Sequence, residues 1–587
     1  MRRVAGLACG IAATLAAARA LADTPPPLYS KYEQQTIDAA LKDTGDTIDP
    51  APKGKVIEQI LVLPLRVIEQ RDPVPNFLNW FHVTSKNRII RREVLQNVGE
   101  RYEQSLVDET CRNLRGKDQL SLVLCLPARG TTPDKVRLLV ITKDVWSIRL
   151  NSNVQFADGK LESLLLQPTE SNIAGTHQEV SLNYDLELYT LSLGAQYLNQ
   201  RFWGSWIAST VGANVILNRF TGDSEGSFGS LSWGQPLYSS RTEWAWNGTV
   251  SWSHQIFRRF TGGLLATYDA DVTPGNDMIP WIYHSDQLAG SYTVTRSYGL
   301  GVKHNFTFGV SALRNAYTVE QEDPLQIVAP AALAEFTSQE VPISDTQIGP
   351  VVEYHTYRNR YMHVLNLGTL GLQEDVQVGH DFFVRVEPVT KALRSTRNFV
   401  GVASGAAYTV PLGDGLARAY TTATLEAAEG LPDAAFGGGF QFDTPTTPVG
   451  RLVFDSAILD RYHNYLNVKS TLGGDTRLRG YPSGQFLGAN TFSANLELRS
   501  RPLEILAVEL AGAGFFDVGD AFDTWSEARV LKGAGFGLRA TLPQLNRSVF
   551  RVDCGFALDR DALPYGTPPL NLVVTFGQAF GLPSLNP

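Results

Sequence analysis

Outside its first 22 residues, the sequence contains no apolar run of the ~18 residues that a membrane-spanning helix needs. Charged side chains are scarce, at 19% of the 587 residues, and the formal net charge is −8. The sequence also has no basic block that could engage phosphate groups. We therefore expect neither transmembrane helices nor a nucleic-acid partner.

Two common signatures of catalytic sites, and the spacing of metal ligands, are missing as well. The sequence has no H-E-x-x-H motif and no phosphate loop of the G-x-x-x-x-G-K-[ST] type. Its nine histidines are scattered without ligand spacing, and Asp517-Val518-Gly519-Asp520 fails the spacing of a calcium loop. We therefore expect no catalytic residue, no metal and no cofactor. A hydrolase site hidden inside a barrel remains the enzyme alternative, because fold and function are separable.

The first 22 residues have the pattern of a signal peptide. Arg2 and Arg3 precede an Ala-rich apolar stretch, and Ala20-Leu21-Ala22 offers a small-x-small cleavage site. Cys9 stands near the start of that stretch and not at its end, which argues against lipidation. We therefore predict export into an oxidising compartment.

Cysteine is rare, with four residues in the chain. Cys111 and Cys125 are 14 residues apart, so a disulfide between them and two separate buried thiols are equally compatible with the sequence. Cys554 falls on the apolar face of a predicted strand, where a thiol serves as a small apolar group.

Alternation of apolar and polar residues is abundant. In Asn571 to Phe580, bulky apolar residues share one face of a predicted strand, and the same period recurs over some 400 residues. A strand of about ten residues tilted by ~40° spans roughly 25 Å, the height of an outer-membrane barrel's apolar belt. The pattern predicts a membrane β-barrel with a polar lumen at residues 149–587. The alternative for any single strand is the edge of a soluble sandwich.

The residues before the barrel divide into two parts. Residues 23–55 predict a helix at Leu28 to Lys42 and a Pro-containing linker. Residues 56–148 predict a compact α+β domain in the order strand, helix, helix, strand, strand.

Two short motifs near the C-terminus predict a buried ion pair. Alternation places Phe515 and Asp517 of Phe515-Phe516-Asp517-Val518-Gly519 on the inner face of a strand. A partly desolvated aspartate needs a cation, and Arg479 of Arg479-Gly480-Tyr481 can supply a bidentate one. Gly480 would permit a tight turn at the loop tip. If the pair is direct, swapping both charges should restore the folding that either single swap loses.

These motifs resemble the R-G-F/Y and F-x-D-x-G motifs of the BamA/TamA superfamily of outer-membrane proteins. In that superfamily the sixth extracellular loop returns into the lumen, and its arginine pairs with an aspartate of a following strand. The order of elements in residues 56–148, with the sequence TKDVWSI leading into the barrel, resembles a periplasmic POTRA domain. The resemblance implies about 16 antiparallel strands and the loop-lock residues Arg479, Gly480, Tyr481, Phe515, Asp517 and Gly519. Alternation gives five strands after the long loop, as the resemblance also implies: 490–500, 505–518, 532–542, 548–558 and 571–580.

Closure of the barrel would pair the first strand, near Gln178 to Leu188, with Asn571 to Phe580. Gly577 interrupts the last strand, which indicates either a weakened seam that admits client strands or room for a packed lumen side chain. Phe580 is the expected terminal aromatic of the seam. The seven residues after Phe580 depart from the family, whose members usually stop at that aromatic.

The resemblance implies an outer-membrane protein of a Gram-negative bacterium that inserts or translocates polypeptides, with its N-terminal domain in the periplasm. Its expected partners are outer-membrane lipid, unfolded outer-membrane or secreted polypeptides, and an accessory periplasmic protein. One alternative is a two-partner secretion transporter for one dedicated substrate, in which Leu28 to Lys42 would be a plug helix. The other is a passive outer-membrane channel.

Overall fold

The computed structural model describes residues 29–587 except 71, 73, 158, 159, 262, 320–327, 429, 431, 476, 507, 564–566, 583, 584, 586 and 587. The predicted signal peptide and Cys9 lie outside the described residues. Within the described ranges, no helix has both the length and the apolar character needed to cross a membrane.

The N-terminal unit is a three-stranded sheet covered by helices on both faces. Its strands are β1 Val56–Leu65, β2 Leu120–Arg129 and β3 Lys135–Asp144, in the spatial order β1-β3-β2. The β1–β3 pair is parallel and the β2–β3 pair antiparallel. The helices are α1 Lys31–Thr44, α2 Asn87–Glu93 and α3 Gln104–Arg115, and a 3-10 helix spans Asn76–Phe81. The order of the elements from β1 to β3 is the predicted one, and the assignment to the POTRA class stays a prediction.

Helix α1 does not lie in the barrel. Its buried residues Ile37 and Ala40 pack on the sheet face formed by the leucines of β2. Ser30 caps the first turn in a capping box with Glu33, and Gly45 ends the helix at φ 67°. On the opposite face of the sheet, the Cys111–Cys125 disulfide joins α3 to β2. The observed position of α1 removes the argument that this segment is a plug helix.

The second unit is a closed antiparallel barrel of 20 strands. They are β4 Ile148–Ala157, β5 Lys160–Glu170, β6 Gln178–Leu186, β7 Thr190–Asn199, β8 Ala208–Asn218, β9 Ser224–Gln235, β10 Trp244–Arg258, β11 Ile282–Tyr298, β12 Val302–Thr318, β13 Asp345–Arg358, β14 Gly379–Val389, β15 Phe399–Leu412, β16 Gly415–Ala428, β17 Asp433–Asp443, β18 Gly450–Tyr462, β19 Asn490–Ser500, β20 Val508–Phe522, β21 Leu531–Leu542, β22 Asn546–Ala557 and β23 Leu570–Phe576.

The expectation of about 16 strands is therefore wrong. The expected first strand near Gln178 to Leu188 is the third strand, β6, because β4 and β5 precede it. The rest of the difference between 16 and 20 strands has a second cause. Some alternating stretches were expected to be two halves of one strand, whereas each stretch is a separate strand of the barrel. The five strands after the long loop are present as β19 to β23.

The two faces of the barrel differ in polarity, as alternation predicts. Exposed apolar side chains such as Val250, Trp252 and Phe308 face outward, and charged residues including Glu497 and Asp517 are buried on the inner side. Cys554 lies on the outer face, between Asp553 and Gly555, which are both buried. An apolar exterior around a polar interior identifies a membrane barrel.

We call the barrel end that contacts the N-terminal unit proximal and the opposite end distal. At the distal end, α4 Pro330–Glu340 packs by Phe336 against Trp281 and Tyr283. At the proximal end, the connection between β13 and β14 contains a hairpin, Tyr361–Leu365 paired with Gln373–Gln377. The remaining short strands flank the turns and loops: Phe260–Thr261, Leu264–Leu265, Thr267–Tyr268, Ile279–Pro280, Ser470–Leu472, Phe486–Gly488 and Leu503–Ile505.

Candidate functional site

The distal loop between β18 and β19 folds into the lumen and buries Arg479 completely. The guanidinium donates two parallel hydrogen bonds to Asp517, from Nε to Oδ2 and from Nη2 to Oδ1, each 2.9 Å long. The backbone N–H of Arg479 donates to the same carboxylate at 3.2 Å. The structure thus brings the two predicted residues together in a bidentate pair, the geometry in which arginine binds a carboxylate most strongly.

The pair belongs to a larger buried charge network. Nη1 of Arg479 also contacts Glu497 of β19 and lies 3.4 Å from Asp553 Oδ2 of β22. Three further arginines neutralise those two acids: Arg499 and Arg539 contact Glu497, and Arg539 and Arg551 contact Asp553. By contrast, every side-chain hydrogen bond that Asp517 makes to described residues comes from Arg479. Asp517 therefore depends on one cation, whereas Glu497 and Asp553 each have several.

The neighbouring motif residues pack around this network. The Arg479 guanidinium lies 3.5 Å from the ring centroid of Phe515, a cation–π contact. The Tyr481 hydroxyl donates to the Lys532 carbonyl at 3.0 Å and accepts from the Asp559 N–H at 3.3 Å. These contacts fasten the loop to β21 and to Asp559, two residues after the end of β22.

Glycine is required at positions 480 and 519 because a neighbouring strand's backbone lies too close for a Cβ atom. A Cβ atom at Gly480 would lie 2.6 Å from the carbonyl oxygen of Phe556, and one at Gly519 would lie 2.7 Å from that of Phe492. Arg479 and Gly480 are the central residues of a tight turn, closed by the Tyr481 N–H donating to the Leu478 carbonyl at 3.2 Å, as predicted. The backbone of Gly480 is not in the left-handed region, so the turn itself does not require glycine. Glycine at 480 instead lets the loop backbone lie directly on β22.

The seam differs from the expected one. The last strand ends at Phe576 and pairs with β4, not with β6. Among the described residues, three pairs form, Leu572–Phe156, Val573–Gln155 and Val574–Val154, whereas the β22–β23 junction has seven. The proximal half of β4, residues 148–153, has no described strand partner on the seam side.

Gly577 turns the chain away from the seam. Its φ is +97°, which favours glycine, and no heavy atom lies within 4 Å of a Cβ built there. The alternative that Gly577 makes room for a packed side chain is therefore wrong. Phe580 is not the terminal aromatic of the strand: it is 5% exposed, and the Arg479 guanidinium carbon lies 5.1 Å from its ring centroid.

The segment after Gly577 enters the lumen at its proximal end. Leu582 packs on a cluster formed by the hairpin residues Val364 and Val376 with Leu416 of β16. Leu585 is buried against Phe383 and Ala407, which lie on the inner faces of β14 and β15. The hairpin also reaches β19, since Arg499 donates to the Leu367 carbonyl at 3.1 Å. The hairpin, the tail and the distal loop thus fill the lumen along β14 to β23.

The other half of the lumen is open and polar. A cavity of about 620 Å³ is lined there mainly by hydroxyl and amide side chains. Its lining includes Asn183, Ser192, Gln196, Asn214, Ser251 and Gln255. Two acidic residues, Asp185 and Glu187, also line it. A wall rich in donors and acceptors can hydrogen-bond a polypeptide backbone.

The N-terminal unit docks on the proximal end through buried polar contacts. Asp144 accepts from the Ser85 N–H at 2.7 Å and from the Asn172 amide at 3.1 Å, and Ser85 Oγ lies 2.7 Å from His177 Nε2. Burial, opposed by the nearby Asp144 carboxylate, lowers the pKa of His177 to about 4. A neutral His177 is therefore part of the docked interface.

Ion pairs extend this interface around the rim. Arg115 binds the hairpin residue Asp375 through Nε at 2.6 Å and Nη2 at 2.9 Å, and Arg201 binds Glu93 by two bonds of 2.7 Å. Burial raises the pKa of Asp375, but hydrogen bonds from His363 and Arg115 outweigh this effect and lower it to about 2. The N-terminal unit therefore covers the proximal mouth.

Sequence reasoning missed Glu497, Arg499, Arg539, Arg551 and Asp553. Alternation places Glu497 and Arg499 on the inner face of β19, and Arg551 and Asp553 on that of β22, but it does not show that they meet. Arg539 is a single inward charge on β21. No cluster of histidine, cysteine or carboxylate side chains suited to a metal ion occurs within the described ranges.

No protein-family model matches the chain, and no curated protein matches it. Solved structures that match include CdiB from Acinetobacter baumannii, at 11% identity and a TM-score of 0.39, with 89% of this chain and 74% of that chain covered. CdiB from Escherichia coli matches at 13% identity and a TM-score of 0.40, covering 91% and 80%. BamA from Haemophilus ducreyi lacking POTRA domains 1–3 matches at 14% identity and a TM-score of 0.34, covering 94% of each chain. At these values none of the three assigns an activity to this chain.

Proposed function

We propose that this protein inserts polypeptides into the outer membrane of a Gram-negative bacterium through the seam between β4 and β23. The observation that carries this proposal is the three-pair junction, which leaves residues 148–153 of β4 without a strand partner on that side. An unpaired strand edge presents a row of N–H and C=O groups to an incoming strand. The apolar side chains of Ile148 and Leu150 are exposed beside that edge.

The rest of the barrel supports a seam that opens. The loop lock ties Arg479 to acids on β19, β20 and β22, and Asn571 of β23 donates to the carbonyl of Arg479. These strands therefore stay in register, while the junction of β23 with β4 has three described residue pairs. Free energy for insertion comes from the client, because backbone groups in lipid are satisfied only once its own barrel closes. The scheme requires no nucleotide, metal or other cofactor.

The N-terminal unit would deliver the client as an added strand, in the manner of a periplasmic POTRA domain. Among the described residues, the outer edge of β1 has backbone partners only at its start, where Ile57 bonds with Gly99 and Glu100. Residues 59–63 of that edge remain open to an extended polypeptide. Residues 47–49 already cover the far end of β2, which makes β1 the better candidate.

The test locks the seam with a disulfide. Val154→Cys with Val574→Cys joins directly opposed residues of β4 and β23, in a background in which Cys554 is alanine. The matched control, Val552→Cys with Val574→Cys, joins β22 to β23, which are already well paired. The assay measures how fast a urea-denatured eight-stranded outer-membrane barrel folds into vesicles that contain each variant.

We expect the oxidised seam variant to lose the acceleration and regain it on reduction, while the oxidised control stays active. Equal activity of the two oxidised variants would refute insertion through the seam.

A second candidate is export of a polypeptide through the lumen, as in two-partner secretion. The open polar cavity beside β6 to β12 favours it. The same pair of variants separates the two functions, because a locked seam leaves a path through the lumen unchanged. Export of an extended polypeptide across vesicles by the oxidised seam variant would support this second function. A passive channel is the least supported function, because the loop, the hairpin and the N-terminal unit all obstruct diffusion.

A further inference from the structure

Three adjacent strands carry a serine, a histidine and an aspartate directly opposite one another. Ser227 of β9 opposes His254 of β10, and His254 opposes Asp286 of β11. Val250 and Trp252 are exposed on β10, so alternation places His254 on the same outward face. His254 lies four residues before Arg258, the distal end of the strand. The row therefore lies on the lipid-facing side, near the distal edge of the apolar belt.

The imidazole has the orientation of a general base. Its Nδ1 bonds to Asp286 Oδ1. Its Cδ2 faces the opposite strand, since a Cβ atom at Gly226 would lie 3.2 Å from that carbon. Nε2 adjoins Cδ2 in the ring and so lies on the side of β9, the strand that carries Ser227. A carboxylate on Nδ1 and a serine on the strand that Nε2 faces match the order of the groups in a Ser-His-Asp triad.

Ser227 can reach the imidazole by one side-chain rotation. Its Oγ accepts from the indole N–H of Trp252 at 3.3 Å, and its own O–H remains a donor. Directly opposed residues of an antiparallel pair have Cβ atoms about 4.5–5.5 Å apart, so rotation about χ1 brings Oγ towards the imidazole. Beside the serine, the register shifts from Ile216–Gly226 to Leu217–Ser224. This β-bulge leaves the backbone of Glu225 without a ladder partner.

We propose that Ser227 and His254 are catalytic residues, and Asp286 a positioning residue, of an esterase that acts on acyl chains of lipids in the distal leaflet. On its proximal side the row adjoins the exposed apolar side chains of Trp252 and Leu288, which oppose each other across β10 and β11. Near the end of the apolar belt, such a site lies at the depth of the ester bonds that join acyl chains to headgroups. The esterase does not depend on polypeptide insertion.

The reaction balances with water as the second reactant. Ser227 Oγ attacks the acyl carbonyl while His254 Nε2 takes its proton. The ester C–O bond breaks, the proton passes to the leaving alcohol, and an acyl-serine remains. Water then attacks the acyl-serine, His254 takes its proton, and the carboxylic acid leaves as Ser227 regains a hydrogen. Asp286 holds the imidazole orientation and stabilises the imidazolium.

The test uses the full-length barrel in micelles, with a para-nitrophenyl decanoate ester and a diacyl phosphatidylcholine as probes. We expect hydrolysis of both, and a covalent fluorophosphonate adduct on Ser227 in mass spectrometry. Ser227→Ala and His254→Ala should each lower kcat/KM by roughly 10³-fold. Asp286→Asn should lower kcat with KM unchanged, and Asp286→Glu should recover part of the loss.

Ser224→Ala is the matched control. Ser224 is the serine of Gly222-Asp223-Ser224-Glu225-Gly226, which fits the G-x-S-x-G spacing of hydrolase nucleophiles. It begins β9 directly after a turn, where no helix follows, and we expect its substitution to change neither hydrolysis nor labelling. The proposal fails if heat-modifiable wild-type protein hydrolyses neither probe and Ser227 takes no label. It also fails if Ser227→Ala keeps full activity.

Discussion

Arg479→Met should destabilise the barrel by removing the only cation that described residues offer to Asp517. Asp517 is fully buried on the inner face of β20. Leaving one member of a buried ion pair uncompensated costs about 3–5 kcal/mol. Asp517→Asn should cost less, about 1–3 kcal/mol, because Arg479 keeps Glu497 and Asp553 as partners.

The two substitutions should therefore be coupled. In the Arg479→Met, Asp517→Asn double variant no charge is left unpaired, and we expect it to regain about 2 kcal/mol relative to Arg479→Met alone. Exchanging the two charges should not restore stability, although it would for an isolated ion pair. An aspartate at 479 would face Glu497 and Asp553, so Arg479→Asp with Asp517→Arg should be at least as unstable as either single swap.

Urea titration of the folded, heat-modifiable band in lipid vesicles measures these differences. Gly514→Ala is a suitable control, because a Cβ atom at this glycine of β20 meets no heavy atom within 4 Å. Recovery of wild-type stability by the charge swap would refute the network and show an isolated pair. Equal stability of Arg479→Met and the neutral double variant would refute the dependence of Asp517 on Arg479.

Three further predictions concern the loop and the N-terminal unit. Gly480→Ala should displace the loop from β22, because the new Cβ atom would lie 2.6 Å from the carbonyl oxygen of Phe556. Faster protease cleavage of the loop would show this displacement. Replacing Cys111 and Cys125 by alanine should lower the stability of the N-terminal unit by about 3 kcal/mol, the chain-entropy value for a loop of about 15 residues. The measurement is a lower midpoint of the unit's thermal unfolding while the barrel stays folded. Because docking lowers the pKa of His177, the undocked state binds a proton at a higher pH than the docked state does. Docking should therefore be strongest above about pH 6.5. It should lose up to about 3 kcal/mol of free energy as the pH falls to about 4. Proteolytic release of the unit between pH 7.5 and 4.5 measures this loss, and His177→Gln should abolish the pH dependence.

Alternation alone was sufficient to predict the barrel, the inward side chains of Phe515 and Asp517, and the five strands after the long loop. Each depends on a period of two, which the backbone imposes wherever one face meets lipid. The number of strands could not be read in the same way. Strands in the barrel vary from 7 to 17 residues, so a long alternating stretch does not reveal whether it is one strand or two.

The charge network lies beyond local sequence reasoning for a different reason. Glu497, Asp517 and Asp553 belong to three strands, and only the register of β19, β20 and β22 brings them to one guanidinium. The motif around Arg479 indicated one partner, because sequence spacing can suggest a pair but not a cluster. The row Ser227, His254 and Asp286 was missed similarly, since its members are neighbours only across strands.

Alternation of apolar and polar residues overestimates the length of the last strand and of its pairing at the seam. The alternation of Asn571 to Phe580 continues past Phe576, but the positive φ of Gly577 directs the following residues into the lumen. Phe580 then meets Arg479 instead of lipid, and the proximal half of β4 loses the partner that a ten-residue strand would have given it. One glycine therefore accounts for two features, an aromatic contact to the loop lock and the open strand edge on which the proposed function depends. A seam that stays short in this way is expected to yield first when a client strand competes for β4, since it has the fewest bonds to replace.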